Sequence, residues 1–137
     1  MFLVDTNVWL ELLLDQERAG EVRRFLEELD ANRLAISDFS LHSIGLVPCR
    51  LGKDAVFMEF SSDLLAEGGV LLVRLDPGDL EAVLDVRRQF SLDFDDAYQY
   101  VAAMSHGYML VSFDKHFDRT QRGRKTPLAA LEARNHG

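Results

Sequence analysis

At 137 residues, 47% apolar and 28% charged, the chain has the size and balance of one globular domain, which excludes a disordered or fibrous protein; no apolar run reaches the roughly 18 to 20 residues of a membrane span. The net charge of −8 argues against a module held on polyanions by bulk charge alone. Its distribution is uneven: residues 1–114 carry 9 Lys and Arg against 21 Asp and Glu, a net −12, whereas residues 115–137 carry 6 against 2, a net +4. The opening Met1-Phe2-Leu3-Val4-Asp5 lacks the basic stretch of a secretory signal, and Cys49 has no second cysteine to pair with, so a reducing, cytoplasmic compartment is expected.

Four short aliphatic runs, at 2–4, 34–36, 70–73 and 109–111, are bounded by Asp, Ser or Gly and read as buried strands. Between the first two, Val22, Phe25, Leu26 and Leu29 form an apolar stripe with Glu21, Arg23, Arg24, Glu27 and Glu28 on the other faces, which predicts an amphipathic helix. A second helix is expected over about 41–51, kinked or ended by Pro48, and a third over about 53–66, stopped by Gly68-Gly69. Asp76-Pro77 reads as the N-cap and first position of a helix that carries Leu80, Val83, Leu84 and Phe90 inward. The last strong helix spans about 95–106, with Gly107 as its C-cap. Alternating strands and helices predict an α/β fold with a parallel sheet covered on both faces.

In such a sheet the carboxyl ends of the strands gather at one edge, and ligands bind there near the topological switch point. The first strand ends at Asp5, the last runs into Ser112-Phe113-Asp114, and the helix before it opens with Asp93-Phe94-Asp95-Asp96, so Asp5, Asp96 and Asp114 are expected to converge. Each also suits a local role: Asp5 capping the turn Asp5-Thr6-Asn7, Asp95 or Asp96 as a helix N-cap, Asp114 opening a turn. Clustered carboxylates repel and raise one another's pKa unless a cation compensates, and hard oxygen donors suit Mg²⁺ or Mn²⁺. A phosphatase that forms an aspartyl phosphate is disfavoured, because Asn7 stands where a second Asp is needed, and receiver-type acidic patterns are missing.

These segments resemble the PIN-domain nucleases, which include the VapC-type toxins of prokaryotic toxin-antitoxin pairs. The resemblance rests on Phe2-Leu3-Val4-Asp5-Thr6-Asn7-Val8-Trp9-Leu10, then Leu92-Asp93-Phe94-Asp95-Asp96-Ala97, then Leu110-Val111-Ser112-Phe113-Asp114-Lys115-His116-Phe117, and spans nearly the whole chain. It implies a single PIN-like domain over 1–137, with a basic C-terminal segment from about 115, folded as a three-layer α/β/α sandwich around a central parallel sheet. It also implies a Mg²⁺- or Mn²⁺-dependent endoribonuclease in which Asp5, Asp96 and Asp114 bind the metal. Thr6, Asn7, Ser43 and Ser112 stand beside them. A metal-activated water then attacks the phosphodiester in line and releases a 3′ hydroxyl.

The chain departs from the family at one place. Members usually carry a Glu early in the helix after the second strand, and within Ser37-Asp38-Phe39-Ser40-Leu41-His42-Ser43-Ile44 that place is held by Ser43. Asp38, Asp93 or Asp95 is the candidate replacement acid, and His42 either faces the site or makes an ordinary polar contact. The alternative expectation is a catalytically degenerate PIN fold that binds RNA or a partner protein without cutting. Arg119, Arg122, Arg124 and Lys125 are expected to hold the backbone of single-stranded or looped RNA, with Trp9, Phe113 and Phe117 either stacking on bases or packing in the core. The family further implies a homodimer and an antitoxin whose tail enters the acidic groove, with no membrane partner.

Overall fold

Phe2–Val4 (β1) is buried along its whole length, with Leu3 facing one side of the sheet and Phe2 and Val4 the other. β1 pairs in parallel with Leu34–Ser37 (β2) on one side and Met109–Val111 (β4) on the other. Leu71–Val73 (β3) pairs in parallel with β2 and completes a four-stranded sheet of order β3-β2-β1-β4. The computed structural model describes residues 1–134; the last three residues of the expected domain, and the side chain of Arg134, lie outside the described residues.

Because side chains alternate across a strand, each strand feeds two cores. On one face Phe2, Val4, Leu34, Ile36 and Val111 pack with Thr6–Leu13 (α1), Ala19–Glu28 (α2), Asp38–Arg50 (α3), Asp54–Ser61 (α4) and Pro127–Arg134 (α7), around the fully buried Trp9 and Phe25. On the other face Leu3, Ala35, Val73 and Leu110 pack with Leu80–Phe90 (α5) and Phe94–His106 (α6). The expected three-layer α/β/α sandwich with a parallel sheet is what forms. No described helix is long and apolar enough to cross a membrane.

Several boundaries differ from the sequence reading. Asp5 does not cap an isolated turn: its Oδ1 accepts from the Thr6 amide at 2.8 Å and starts α1 directly from the end of β1. The helix expected from 41 begins at Asp38, because Ser37 Oγ caps it by accepting from the Ser40 amide at 3.0 Å, and it continues past a buried Pro48 to Arg50. The helix expected over 53–66 is α4 followed by a π turn, Ser62–Ala66, and it ends at Gly68, where a Cβ would stand 2.2 Å from the Asp63 carbonyl oxygen. Leu80 and Leu84 do not point inward; they are 41% and 44% exposed. A 3₁₀ turn at Pro77–Asp79 precedes α5 and sets its phase so that Val83 and Val86 face the sheet, with Phe90 packed at its edge.

The chain passes from β1 through β2 to β3 in one direction and then returns to the other side of β1 for β4. The reversal opens a crevice between the carboxyl ends of β1 and β4, the place where open parallel sheets bind ligands. Past β4 the basic segment folds back along the same edge: Lys125 N donates to the Leu110 carbonyl and Ser112 N to the Lys125 carbonyl, both at 2.9 Å.

Candidate active site

The crevice is a cavity of about 270 Å³ whose walls include Asp5, Asp96 and Asp114. Each acid is placed by a different device. Asp5 ends β1 and is 6% exposed. Its Oδ1 accepts from the Thr6 amide and from Gln99 Nε2, both at 2.8 Å, and its Oδ2 accepts from Ser112 Oγ at 2.7 Å. Asp96 projects from the first turn of α6 with its side chain 15% exposed. Asp114 caps the 3₁₀ turn after β4, accepting from the His116 amide at 2.8 Å while its own amide donates to Ser112 Oγ at 3.0 Å.

The electrostatics record how close these groups stand. Burial pushes the Asp5 carboxyl above its ordinary range, opposed by the hydrogen bonds from Gln99, Ser112 and Thr6. Burial first, and then the charges of Asp114, Asp5 and Asp95, push Asp96 up to about 7. A carboxyl raised towards neutral pH by burial and neighbouring carboxylates in a water-accessible cavity is the condition that an added cation relieves.

Hydroxyls and amides fill the rest of the wall. Asn7 Nδ2 donates to Ser112 Oγ at 3.3 Å and its Oδ1 accepts from the Phe113 amide at 3.3 Å, tying α1 to the end of β4. Thr6 Oγ1 shares a 2.9 Å hydrogen bond with Ser40 Oγ. Ser43 faces the cavity, half-buried, at the place where a carboxylate was expected. Of the candidate replacement acids, Asp95 lines the cavity, with Oδ1 accepting from the Asp96 amide at 3.1 Å. Asp93, not Asp95 or Asp96, holds the N-cap position of α6, and its side chain is exposed. Asp38 points away: it accepts from the Tyr98 hydroxyl at 2.8 Å and, with His42, borders a separate apolar groove of about 400 Å³ along α3.

Two site residues escaped the sequence reading. Gln99 is 1% exposed and is the hub of the buried polar network: Nε2 donates to Asp5 Oδ1 and, at 2.6 Å, to Ser40 Oγ, while Oε1 accepts from Ser37 Oγ. Its signal was a lone amide among Ala97, Tyr100, Val101, Ala102 and Ala103, the otherwise apolar buried set of α6. His116 places Nδ1 at 3.3 Å from Asp114 Oδ1 and 3.8 Å from Asp96 Oδ2. Donor atoms of Asp96, Asp114 and His116 all lie within 4.8 Å of one another, close enough to share one ion. Two carboxylates with one adjacent imidazole, and Asp5 in the wall of the same cavity, fit a hard or borderline divalent cation such as Mg²⁺ or Mn²⁺.

The basic segment is engaged with the protein itself. Arg119 donates to the Ser91 carbonyl at 2.8 Å and Arg122 to that of Met104 at 3.5 Å, both from exposed positions. Arg124, with a side chain 12% exposed, donates to the Ser112 carbonyl and pairs with Asp118, each at 3.3 Å. Lys125 is half-buried beside β4. Of the aromatic residues weighed for stacking, Trp9 and Phe117 are fully buried, and Phe113 is half-buried beneath the Arg18 guanidinium at 4.7 Å.

The chain matches the PIN domain over residues 2–123. Among curated proteins no sequence matches. Among solved structures it resembles a FitAB complex bound to an IR36 DNA fragment, with a TM-score of 0.77 and 19% identity over 93% of this chain and 95% of that one. It also resembles a toxin-antitoxin complex from Klebsiella pneumoniae, with a TM-score of 0.73 and 19% identity over 93% and 98%. A third likeness is to Mycobacterium tuberculosis VapC20, described as a sarcin-ricin loop cleaving toxin, with a TM-score of 0.71 and 16% identity over 83% and 90%. At these identities the likeness is one of fold, and the match over residues 2–123 assigns the chain to the PIN-domain family.

Proposed function

We propose that the protein is a divalent-metal-dependent endoribonuclease of the VapC type, with Asp5, Asp96 and Asp114 as its metal-binding carboxylates. The observation that carries this reading is their meeting in one cavity at the switch point, with the carboxyl of Asp96 raised to about 7 by burial and then by the charges beside it. These carboxylates would hold a Mg²⁺ or Mn²⁺ ion, whose chemistry would be to neutralise charge on a phosphoryl oxygen and to acidify a water. The chain's own part is positioning. Gln99, Thr6 and Ser112 fix both oxygens of Asp5 before any ligand arrives, and Ser112 also orients Asp114 through its amide. Asp96 would have to be ionised to hold such an ion. Asp95 is the acid placed to offset the charge that Ser43 does not supply.

RNA is the substrate in this reading, with Arg119 and Arg122 as the exposed cations for its backbone, and Arg124 and Lys125 holding the segment that carries them. A VapC-type protein acts in the cytoplasm, forms homodimers and is held inactive by an antitoxin, and we extend these expectations to this chain. Ser43 favours one second reading, a PIN domain that binds RNA or a partner without cutting, since a hydroxyl leaves the α3 side of the cavity neutral. Incubating purified protein with a panel of structured RNAs in Mg²⁺, Mn²⁺ or EDTA, beside Asp96→Asn, decides between them. Metal-dependent cleavage absent from the variant is the expected result; an uncut panel in both metals overturns the nuclease reading in favour of the binding one.

A further inference from the structure

Among the described residues, large aromatic rings are buried or half-buried with one exception: Phe94, 44% exposed at the first position of α6, two residues before Asp96. It does not stand alone. One helical turn on, the Tyr98 ring lies with its centroid 6.4 Å from that of Phe94 and 5.7 Å from that of Phe39, and Phe39 lines the acid cavity. Tyr98 is clamped at its tip, its hydroxyl accepting from the Leu75 amide at 3.1 Å and donating to Asp38 Oδ1 at 2.8 Å. The three rings form a ledge, fixed at Tyr98, that runs from solvent to the cavity wall. Exposed Arg74, just past β3, is near enough for its charge to act on the Tyr98 phenol.

We infer that the Phe94–Tyr98–Phe39 ledge is a stacking subsite for an unpaired nucleobase adjoining the phosphodiester held in the acid cavity; the inference rests on the nuclease reading for what occupies that cavity. An aromatic ring left in water beside a binding cavity is suited to a base, because every base offers a π face and an aromatic side chain has few torsions to lose on stacking. A guanidinium at the border of the platform adds a phosphate contact. The ledge is open only to a strand whose bases are not paired, which selects single-stranded or looped nucleic acid over a duplex. Asp38 bonds the Tyr98 hydroxyl and Asp93 and Asp95 flank Phe94 in the chain, so a divalent cation that offsets these charges should favour binding of a polyanion.

The test is a coupling measurement that does not depend on cleavage. A series of RNA hexanucleotides, intact or abasic at one position in turn, is titrated by fluorescence anisotropy in Ca²⁺ against the wild-type protein, Phe94→Ala and Phe94→Trp. Phe94→Ala is expected to weaken binding of the intact oligomer about tenfold. Against one abasic oligomer the same substitution should have almost no effect, and Phe94→Trp should restore affinity. A uniform loss across the series, no loss at all, or no binding by the wild type overturns the inference. So does a change in sedimentation of Phe94→Ala without coupling to any base, which would make the ledge a protein contact. Cleavage in Mn²⁺ is scored separately, so that a cutting enzyme with an uncoupled Phe94 refutes the ledge alone, and a coupled Phe94 on a protein that does not cut refutes only the nuclease.

Discussion

The two sides of the acid cavity are built differently. On the β1–β4 side, carboxylates stand at a strand end and at the cap that follows the other strand, and each is tied down: Asp5 by three donors, Asp114 by the His116 amide. On the β2–α3 side the same sheet edge presents hydroxyls, those of Ser37, Ser40 and Ser43, with Ser43 alone standing where the family usually has a Glu. Gln99 bridges the two, taking a hydrogen bond from Ser37 and giving one each to Ser40 and Asp5. The difference teaches that negative charge is concentrated where the sheet reverses, and that the neutral side stabilises the charged side through an amide.

The largest effect should come from removing charge on the charged side. Asp5→Asn and Asp96→Asn keep side-chain shape and are expected to lower metal-dependent cleavage by at least about 100-fold, since loss of even a group that orients a ligand costs 10–100-fold. Circular dichroism should show the fold retained. If both variants cut RNA at the wild-type rate, the carboxylates are not the machinery.

Cutting the bridge comes next. Gln99→Leu removes one buried hydrogen bond each from Ser37, Ser40 and Asp5, which keep their bonds to Ser40 N, Thr6 Oγ1, and Thr6 N with Ser112 Oγ, and should destabilise the protein by about 2 kcal/mol in urea unfolding. Mn²⁺ affinity should fall about tenfold with it. Unchanged stability would mean that the two sides of the cavity are independent.

The pH dependence sharpens the same point. Because the folded pKa of Asp96 is raised, from 3.8 to about 7, the folded protein binds a proton that the unfolded chain has released. Stability of the metal-free protein is therefore full below about pH 4 as far as this group is concerned, and is lost as pH rises towards and through 7. The loss should be about 2 kcal/mol, less than the full shift gives, because water reaches the cavity mouth. Asp5, also raised, adds in the same direction. Melting curves at pH 5 and 7.5 should show the slope in the wild type and a flatter one in Asp96→Asn.

The smallest change should come from charging the neutral side. Ser43→Glu adds a carboxylate to the cavity wall and is expected to tighten Mn²⁺ binding about tenfold while lowering the melting temperature of the metal-free protein. Weaker binding would show that Ser43 does not face the ion.

How much of this was legible in the sequence follows from how local each cause is. The four strands could be read because aliphatic runs ended by Asp, Ser or Gly have few other uses, and the meeting of Asp5, Asp96 and Asp114 followed from strand ends in a parallel sheet. Helix α1 was hidden because Asp5 both ends a strand and starts a helix, with no loop between to mark the change. The inward face of α5 was misjudged because Leu80 and Leu84 fit an apolar stripe as well as Val83 and Val86 do, and only the preceding 3₁₀ turn selects the phase. Gln99 could be seen as an oddity but not as a hub, since its partners are 59 to 94 residues away in the chain. The ledge was missed because Phe94 was read as part of a motif, whereas its exposure depends on where α6 lies against α3.

The most direct test of the central claim is a calorimetric titration of the protein with Mn²⁺ at pH 7 in two buffers of different ionisation enthalpy. Binding at the cavity should release a measurable fraction of a proton, because the carboxyl of Asp96 is raised towards neutral pH and must ionise to ligate, and Asp96→Asn should abolish both the binding and the release. Mn²⁺ binding that releases no proton and survives Asp96→Asn would contradict the account, as would no binding at all.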